Sequence, residues 1–308
     1  MPDGRSATRS EDRLRPLYDR AQRRAASRER LIRFTTHPAV KRVVGRADDL
    51  LRGYPLDVEG TGNLPTSGPG VICATHQDGD DVMLVIASAF NATGRVISPL
   101  VDIDSGQSRF ETVLLEMFDV TWTLRGSEPL AVQRRRESYD EMLAKALGGH
   151  LLAVWCEGTF CPRFDDVLGL YTGGSVRLAL DFYDMTGQTM LDYPQVTAYE
   201  FDETGKIRAA HVEYLEPFDP LAHGAARDPA AATEALRKLL LAAKRALYAR
   251  CMPNLTPEWY ARFRAAGHQR HPKDPDYYDC GQFSLDYKQA LAAGDERLAA
   301  DILAAFAA

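Results

Sequence analysis

The sequence predicts an α/β fold with a mostly parallel central sheet covered by helices on both faces. Between residues 71 and 215, short apolar segments bounded by turn residues alternate with helical segments, a pattern typical of βαβ units. The 308-residue chain is 45% apolar and 26% charged, which suffices for a large core. We expect a helical amino-terminal arm (residues 1–56), the α/β core (57–220) and a helical carboxyl-terminal extension packed on the core (221–308).

Within the core, strands and helices are predicted to alternate along the chain. A Gly/Pro-rich loop, residues 60–70, leads into an apolar segment that is typical of a buried strand. Strands are predicted at 71–75, 95–102, 120–125, 151–156, 195–201 and 207–215, helices at 80–93, 108–118, 131–147 and 174–185, and a loop at 157–172. Because ligands bind at the carboxyl ends of parallel strands, the residues directly after each strand are the candidates for chemistry.

The helices outside the core are predicted from their apolar spacing and from the absence of glycine. In the arm, residues 11–34 contain no glycine, and one face carries Leu14, Leu17, Tyr18, Ala21 and Ala25. A shorter helix is expected at 38–52. In the extension, helices are predicted at 229–251, which ends before Pro253, and at 285–306.

Charge is distributed unevenly between the arm and the rest of the chain. Residues 1–50 hold 13 basic and 7 acidic side chains, whereas the remaining residues hold 24 basic and 36 acidic ones. The acidic body argues against nucleic-acid binding. The basic arm suits an anionic membrane surface, contacted through residues 1–35, or an acidic carrier protein, but a helix packed on its own domain with a solvated arginine face is an equal alternative.

Composition and motifs exclude several other classes of protein. Five cysteines without CxxC spacing argue against a disulfide scaffold, and the histidines lack H-E-x-x-H spacing, so no metal site is predicted. No G-x-S-x-G elbow, Walker loop or G-x-G-x-x-G fingerprint occurs, and no cofactor is expected. No run of 18 apolar residues and no secretory signal is found, so we expect a cytoplasmic protein, with peripheral attachment to the inner membrane face as an option.

The first candidate site follows the strand at 71–75. His76 lies at the predicted carboxyl-terminal edge of the sheet. Asp81, in the first turn of the next helix, can accept a hydrogen bond from one imidazole nitrogen. This contact would leave the other nitrogen as a base. Taken alone, an acidic cluster that satisfies the helix dipole is the simpler explanation.

Two further candidate sites also follow predicted strands. Arg125 and Gly126 come after the strand at 120–125, where a guanidinium can bind a phosphate or carboxylate. Glu157, Gly158 and Thr159 come after the strand at 151–156, where a carboxylate can orient a polar substrate beside exposed backbone amides. A surface ion pair and an ordinary turn are the structural alternatives.

Together these sites resemble the blocks of the lysophospholipid acyltransferase superfamily, which includes bacterial 1-acylglycerol-3-phosphate acyltransferases. His76 and Asp81 match the family's histidine, four residues, then aspartate; Arg125 matches the arginine that ends its second block. The third block, Glu-Gly-Thr, is matched by residues 157–159. The leader Gly62-Asn-Leu-Pro65 is also similar, and the resemblance covers about residues 58–201.

The resemblance implies an acyltransferase of lipid metabolism. Its donor would be an acyl-CoA or an acyl-carrier-protein thioester, and its acceptor a hydroxyl or amine on a lipid or small molecule. His76 would act as general base and Asp81 would hold and charge-stabilise the imidazole, without a covalent acyl-enzyme. Glu157, Gly158 and Thr159 would shape the acceptor site, and Arg125, beside Gly126, would bind an anionic group there. Cys156 and Cys161 are interpreted as core or lining residues.

Departures from the family pattern bear on the acceptor. Phe160 and Cys161 stand where the family has Arg-Ser after Glu-Gly-Thr, and Thr172 stands where a lysine is common. Two cations that would hold a glycerol phosphate are therefore missing, so we expect an acceptor less anionic than lysophosphatidate. Asp119 replaces a usual glycine, and Asp78 a usual serine. The alternative is a peripheral lipid-binding or adaptor protein on the same fold that has lost catalysis.

Overall fold

The strands in the described part of the chain form one seven-stranded sheet. The structure is a computed structural model that describes residues 53–77, 80–103, 109–124, 128–157, 174–202, 206–223 and 228–254, together with Asp19, Val167 and Glu258. The strands are β1 (Leu56–Glu59), β2 (Gly70–Ala74), β3 (Ile97–Asp102), β4 (Thr121–Thr123), β5 (Leu151–Trp155), β6 (Leu191–Phe201) and β7 (Ile207–Tyr214).

The sheet is mostly parallel, with one antiparallel junction. Its strand order is β1-β7-β6-β2-β5-β3-β4. Neighbouring strands from β6 to β4 are parallel, β7 runs antiparallel to β6, and β1 is parallel to β7. The central strand β2 is buried along its whole length, as expected for a strand covered on both faces. The predicted α/β fold is therefore confirmed.

Helices cover both faces of this sheet. They are α1 (Asp81–Thr93), α2 (Arg109–Met117), α3 (Pro129–Leu147), α4 (Gly174–Thr186) and α5 (Pro229–Cys251). On one face, α3, α4 and α5 bury apolar residues such as Ala146, Val176 and Leu236 against β2, β5 and β6. On the other face, α1 packs Leu84 and Val85 on the same three strands, and α2 lies with α1 over β3 and β4.

Local sequence explains where several of these helices begin and end. The side chain of Asp228 accepts a hydrogen bond from the backbone N–H of Ala230 and caps α5, whose first residue is a proline. Helix α1 ends at Gly94, which has a φ of 69° and whose N–H donates to the Phe90 carbonyl. Because these signals are local, the sequence predicts both boundaries to within a residue or two.

Two strands differ from the sequence prediction. Strand β1 was not predicted, since its four residues are too few to show a clear periodicity. Strand β6 begins at Leu191, four residues before the predicted start at residue 195. Pro194 lies inside it, where proline is normally unfavourable, but its carbonyl still accepts a hydrogen bond of 2.9 Å from the Leu215 N–H. The helices predicted at 11–34, 38–52 and 285–306 lie outside the described residues, Asp19 excepted.

Beyond the end of β2, side chains rather than a strand satisfy the backbone of β6. Every second N–H of β6 on this side finds such a partner, as buried backbone donors require. The N–H of Thr197 donates to Thr75 Oγ1 (3.2 Å), that of Tyr199 to the Tyr248 hydroxyl (3.2 Å), and that of Phe201 to the sulfur of Met252 (3.4 Å). Helix α5, which carries Tyr248, thus positions the last residues of β6.

A buried polar cluster lies at the amino ends of β3 and β4. Asp119 adopts a φ of 56°, which explains why glycine suits this position. Its carboxylate accepts a hydrogen bond from the Ser98 hydroxyl and lies 3.5 Å from the Lys145 ammonium and 3.4 Å from the His150 imidazole. Lys145 also donates to Thr121 Oγ1 over 2.7 Å. These contacts offset the backbone strain of an aspartate that has a positive φ.

None of the helices that the structure describes is long and apolar enough to cross a membrane.

Candidate active site

The candidate site lies at the carboxyl end of the central strand β2. The strand ends at Ala74, and the N–H of Thr75 still donates to the Gln195 carbonyl of β6 (3.1 Å). His76 and Gln77 then leave the sheet, and α1 begins at Asp81. This strand-to-helix turn places a histidine and an aspartate at the edge where parallel sheets bind ligands.

His76 and Asp81 contact each other directly. The Nδ1 atom of His76 lies 3.2 Å from Asp81 Oδ2. The Asp81 carboxylate is fully buried, while 11% of the His76 side chain is exposed. Because Nδ1 faces the carboxylate, an Nδ1–H tautomer leaves the Nε2 lone pair available as a base. The five-residue spacing seen in the sequence therefore produces the contact that it predicts.

The Asp81 carboxylate is also held by two donors outside the histidine. The backbone N–H of Gln77 donates to Oδ2. The phenolic hydroxyl of Tyr199, on β6, donates to Oδ1. These two hydrogen bonds fix the position of the buried Asp81 side chain, one at each carboxylate oxygen.

Glu157 is anchored to the histidine turn from the neighbouring strand. Strand β5 ends at Trp155, and the N–H of Cys156 donates to the Ala74 carbonyl (3.0 Å), which continues the β2–β5 pairing past the strand end. The Glu157 carboxylate, 1% exposed, accepts a hydrogen bond of 2.6 Å from the backbone N–H of His76. The first and third blocks of the motif are therefore in direct contact.

The Trp155 ring packs beside the imidazole. The two ring centroids are 5.9 Å apart, with the planes inclined at 47°. This contact gives one side of His76 an apolar wall, which limits the orientations of the imidazole.

The structure brings together three of the seven residues that the sequence singles out. His76, Asp81 and Glu157 meet at one edge of the sheet, while Arg125, Gly126, Gly158 and Thr159 lie outside the described residues. Sequence reasoning missed Tyr199, which lies within a predicted strand, outside every motif. Its only sequence signal is an aromatic residue near the carboxyl end of that strand.

The described cysteines differ from an activated nucleophile. Cys73 is fully buried on β2, and burial raises the pKa of its thiol well above the ordinary value, so the thiol stays protonated. Cys156 is half-buried, with its sulfur 3.9 Å from the Val154 carbonyl. Within the described ranges, no group of three or more His, Cys, Asp or Glu side chains is arranged to hold a metal ion.

Comparison with solved structures finds a protein with a similar fold. The α/β fold of the chain is similar to that of an acyltransferase of solved structure, which confirms, at the level of the fold, the resemblance that the motifs indicate. A similar solved structure is the crystal structure of the 1-acyl-sn-glycerophosphate (LPA) acyltransferase PlsC from Thermotoga maritima, with a TM-score of 0.51 and 16% sequence identity. The likeness covers 69% of this chain and 79% of that one. No protein-family model and no curated protein sequence matches the chain.

Proposed function

We propose that the protein is an acyltransferase that moves an acyl group from a thioester to an acceptor hydroxyl or amine. The observation that carries this proposal is the His76–Asp81 contact at the carboxyl end of β2. The fold of the Thermotoga acyltransferase supports the same reaction class, since that protein acylates a glycerophosphate. Acyl-CoA or acyl-carrier protein would supply the thioester.

The reaction needs one base and one orienting carboxylate. Nε2 of His76 takes the proton of the acceptor hydroxyl or amine as its oxygen or nitrogen attacks the thioester carbonyl carbon. Asp81 stabilises the imidazolium that forms. The carbon–sulfur bond then breaks, the thiolate leaves, and it takes the proton from the imidazolium. The new ester or amide bond forms without an acyl-enzyme.

The acceptor site is proposed to be lined by Glu157, Gly158, Thr159, Arg125 and Gly126. The hydrogen bond from the His76 N–H to Glu157 supports a location beside the base. We propose an acceptor less anionic than lysophosphatidate, because a phenylalanine, a cysteine and a threonine occupy positions 160, 161 and 172, where the family carries cations and a serine.

The basic residues of the amino-terminal arm are proposed to bring the protein to an anionic surface. Residues 1–50 have a net positive charge, whereas the rest of the chain has a net negative charge. Co-sedimentation of the full chain with anionic vesicles, but not with zwitterionic ones, would support this partner, and the binding should weaken at high salt. Equal recovery with both vesicle types would contradict it.

Thiol release from a panel of acyl-CoAs and from acyl-carrier protein tests the proposed function. We expect release by the wild type and none by His76→Ala. The matched control is His211→Ala on β7, a histidine that contacts Glu200 away from the site, and it should retain activity. Equal release by His76→Ala, or no release by the wild type with either donor, would contradict an acyltransferase.

The acceptor can be identified in the same assay. Lysophosphatidate and a small-molecule lysate extract serve as alternative acceptors, and mass spectrometry identifies the acylated product. Release that depends on the extract, and not on lysophosphatidate, supports an acceptor less anionic than lysophosphatidate. Rapid acylation of lysophosphatidate would overturn the proposed acceptor class but would still support the proposed acyltransferase activity.

A further inference from the structure

Tyr199 connects the far end of β6 to the His76–Asp81 pair. Its side chain is fully buried, and its hydroxyl donates to Asp81 Oδ1. The two residues are 118 positions apart in the chain. They meet because β6 lies beside β2 and extends past its end, so Tyr199 reaches the turn that follows β2.

The hydrogen bond of Tyr199 is made to the oxygen opposite the histidine. Oδ2 of Asp81 faces His76 Nδ1 and the Gln77 N–H, while Oδ1 faces the Tyr199 hydroxyl. The terminal torsion of an aspartate is broad, so the carboxylate plane is free to turn unless both oxygens are held. A donor on Oδ1 therefore keeps Oδ2 directed at the imidazole.

Tyr199 is itself held by two contacts. Its backbone N–H donates to the Tyr248 hydroxyl of α5 over 3.2 Å. Its ring lies against that of Phe201, with centroids 6.1 Å apart. Because these contacts hold both the backbone and the ring of Tyr199, its hydroxyl cannot easily move with a rotating carboxylate. The hydroxyl therefore fixes the orientation of Asp81.

We propose that Tyr199 is a positioning residue that holds Asp81 in the orientation required to keep His76 in the Nδ1–H tautomer. This inference rests on the proposed function, in which Nε2 is the base. One charged group beside the pair is Glu157, from the end of β5, whose carboxylate accepts a hydrogen bond from the His76 N–H.

The test compares Tyr199→Phe with Tyr214→Phe in the full chain. Both changes delete one buried phenolic hydroxyl, but that of Tyr214 contacts Ser88 and the Val85 carbonyl rather than Asp81. Nitrogen-15 NMR of histidine-labelled protein reports the tautomer of His76, whose signals are assigned by their loss in His76→Ala. We expect the Nδ1–H fraction to fall in Tyr199→Phe and to stay at the wild-type value in Tyr214→Phe.

Kinetics provide the second readout. Loss of one hydrogen bond to a charged group predicts a kcat of Tyr199→Phe lower by about 10-fold or more, with KM nearly unchanged. An unchanged His76 tautomer in Tyr199→Phe overturns the proposal whatever the rates. If the wild type transfers no acyl group, the proposed function fails, yet a tautomer change still supports the positioning role.

A reciprocal variant covers the case in which Tyr199→Phe does not fold. Carbon-13 labelling of the tyrosine Cζ atoms reports the hydrogen bonding of each phenol. In Asp81→Asn, the Tyr199 signal should shift while the Tyr214 signal does not. Absence of a Tyr199 shift would show that its hydroxyl does not depend on the Asp81 carboxylate and would overturn the proposal.

Discussion

The Glu157 carboxylate accepts a hydrogen bond of 2.6 Å from the backbone N–H of His76, a residue 81 positions earlier in the chain. The contact joins the ends of β5 and β2. It shows that Glu157 supports the conformation of the histidine turn, in addition to any contact with a substrate.

Glu157→Gln and Glu157→Ala are expected to differ. The glutamine oxygen can still accept from the His76 N–H, so its cost in the free energy of unfolding should be about 1 kcal/mol, whereas alanine leaves a buried donor unpaired and should cost about 2–3 kcal/mol. Urea denaturation measures both values, and kcat should fall in the same order. Equal effects of the two variants, confined to the acceptor KM, would instead indicate that the charge of Glu157 acts only on the acceptor.

Lys145→Met is expected to destabilise the fold. The Lys145 side chain is 7% exposed, and its ammonium donates to Thr121 while lying 3.5 Å from Asp119 and 3.4 Å from Glu141. Its removal takes the ammonium away from the buried Asp119 carboxylate and should cost about 3 kcal/mol. The control Lys238→Met removes a lysine whose side chain is 71% exposed, and should cost about 0.5 kcal/mol or less. Similar denaturation midpoints for both variants would contradict a stabilising role for the buried cluster.

Gly60→Ala is expected to be far more damaging than Gly68→Ala. Both glycines have a positive φ, of 69° and 77°, so both substitutions should cost about 1–2 kcal/mol from backbone strain. At Gly60 an added Cβ would also lie 1.9 Å from the Tyr214 carbonyl oxygen, whereas at Gly68 it meets nothing within 4 Å. Thermal unfolding should show a clearly larger loss for Gly60→Ala. Equal losses would mean that the loop moves away from β7 at little cost.

Asp192→Asn is expected to change how stability depends on pH. Burial raises the pKa of Asp192 to about 7, and the nearby Ser175 and Cys73 side chains only partly oppose this. Because the folded state favours the protonated acid, its contribution is fully present below about pH 4 and is lost as the pH rises through about 7. The variant should therefore gain stability over the wild type between pH 5 and pH 8, by a few kcal/mol at most.

Denaturation of both proteins across this range measures that gain. The control Asp140→Asn changes an exposed carboxylate on α3 and should keep a nearly constant difference from the wild type. A constant difference for Asp192→Asn as well would show that the buried carboxylate does not titrate as described.

Most of the fold was predictable because its signals are local. Alternating apolar segments and helical spacing place β2–β5, β7 and the five described helices within a few residues of their observed bounds. Strand β1 was missed because four residues carry too little periodicity. The start of β6 was missed because Pro194 is a local signal against a strand, and only pairing with β2 overrides it.

In the candidate site, too, the contacts between residues close in sequence were predictable and those that depend on strand order were not. The spacing of His76 and Asp81 is local, since both residues lie in one strand-to-helix turn, and their contact could be anticipated. The proximity of Tyr199 to Asp81 could not, because it depends on β6 lying beside β2 rather than elsewhere in the sheet.

The sequence by itself determined the α/β class, the order of the strands and helices from β2 onward and the histidine–aspartate turn, because each depends on residues a few positions apart. Only the tertiary structure decided which strands flank β2, and therefore that Glu157 and Tyr199 converge on His76 and Asp81 from opposite sides. Strand order follows from the burial of whole helix and sheet faces against one another, summed over the chain, and no local pattern of residues records that sum.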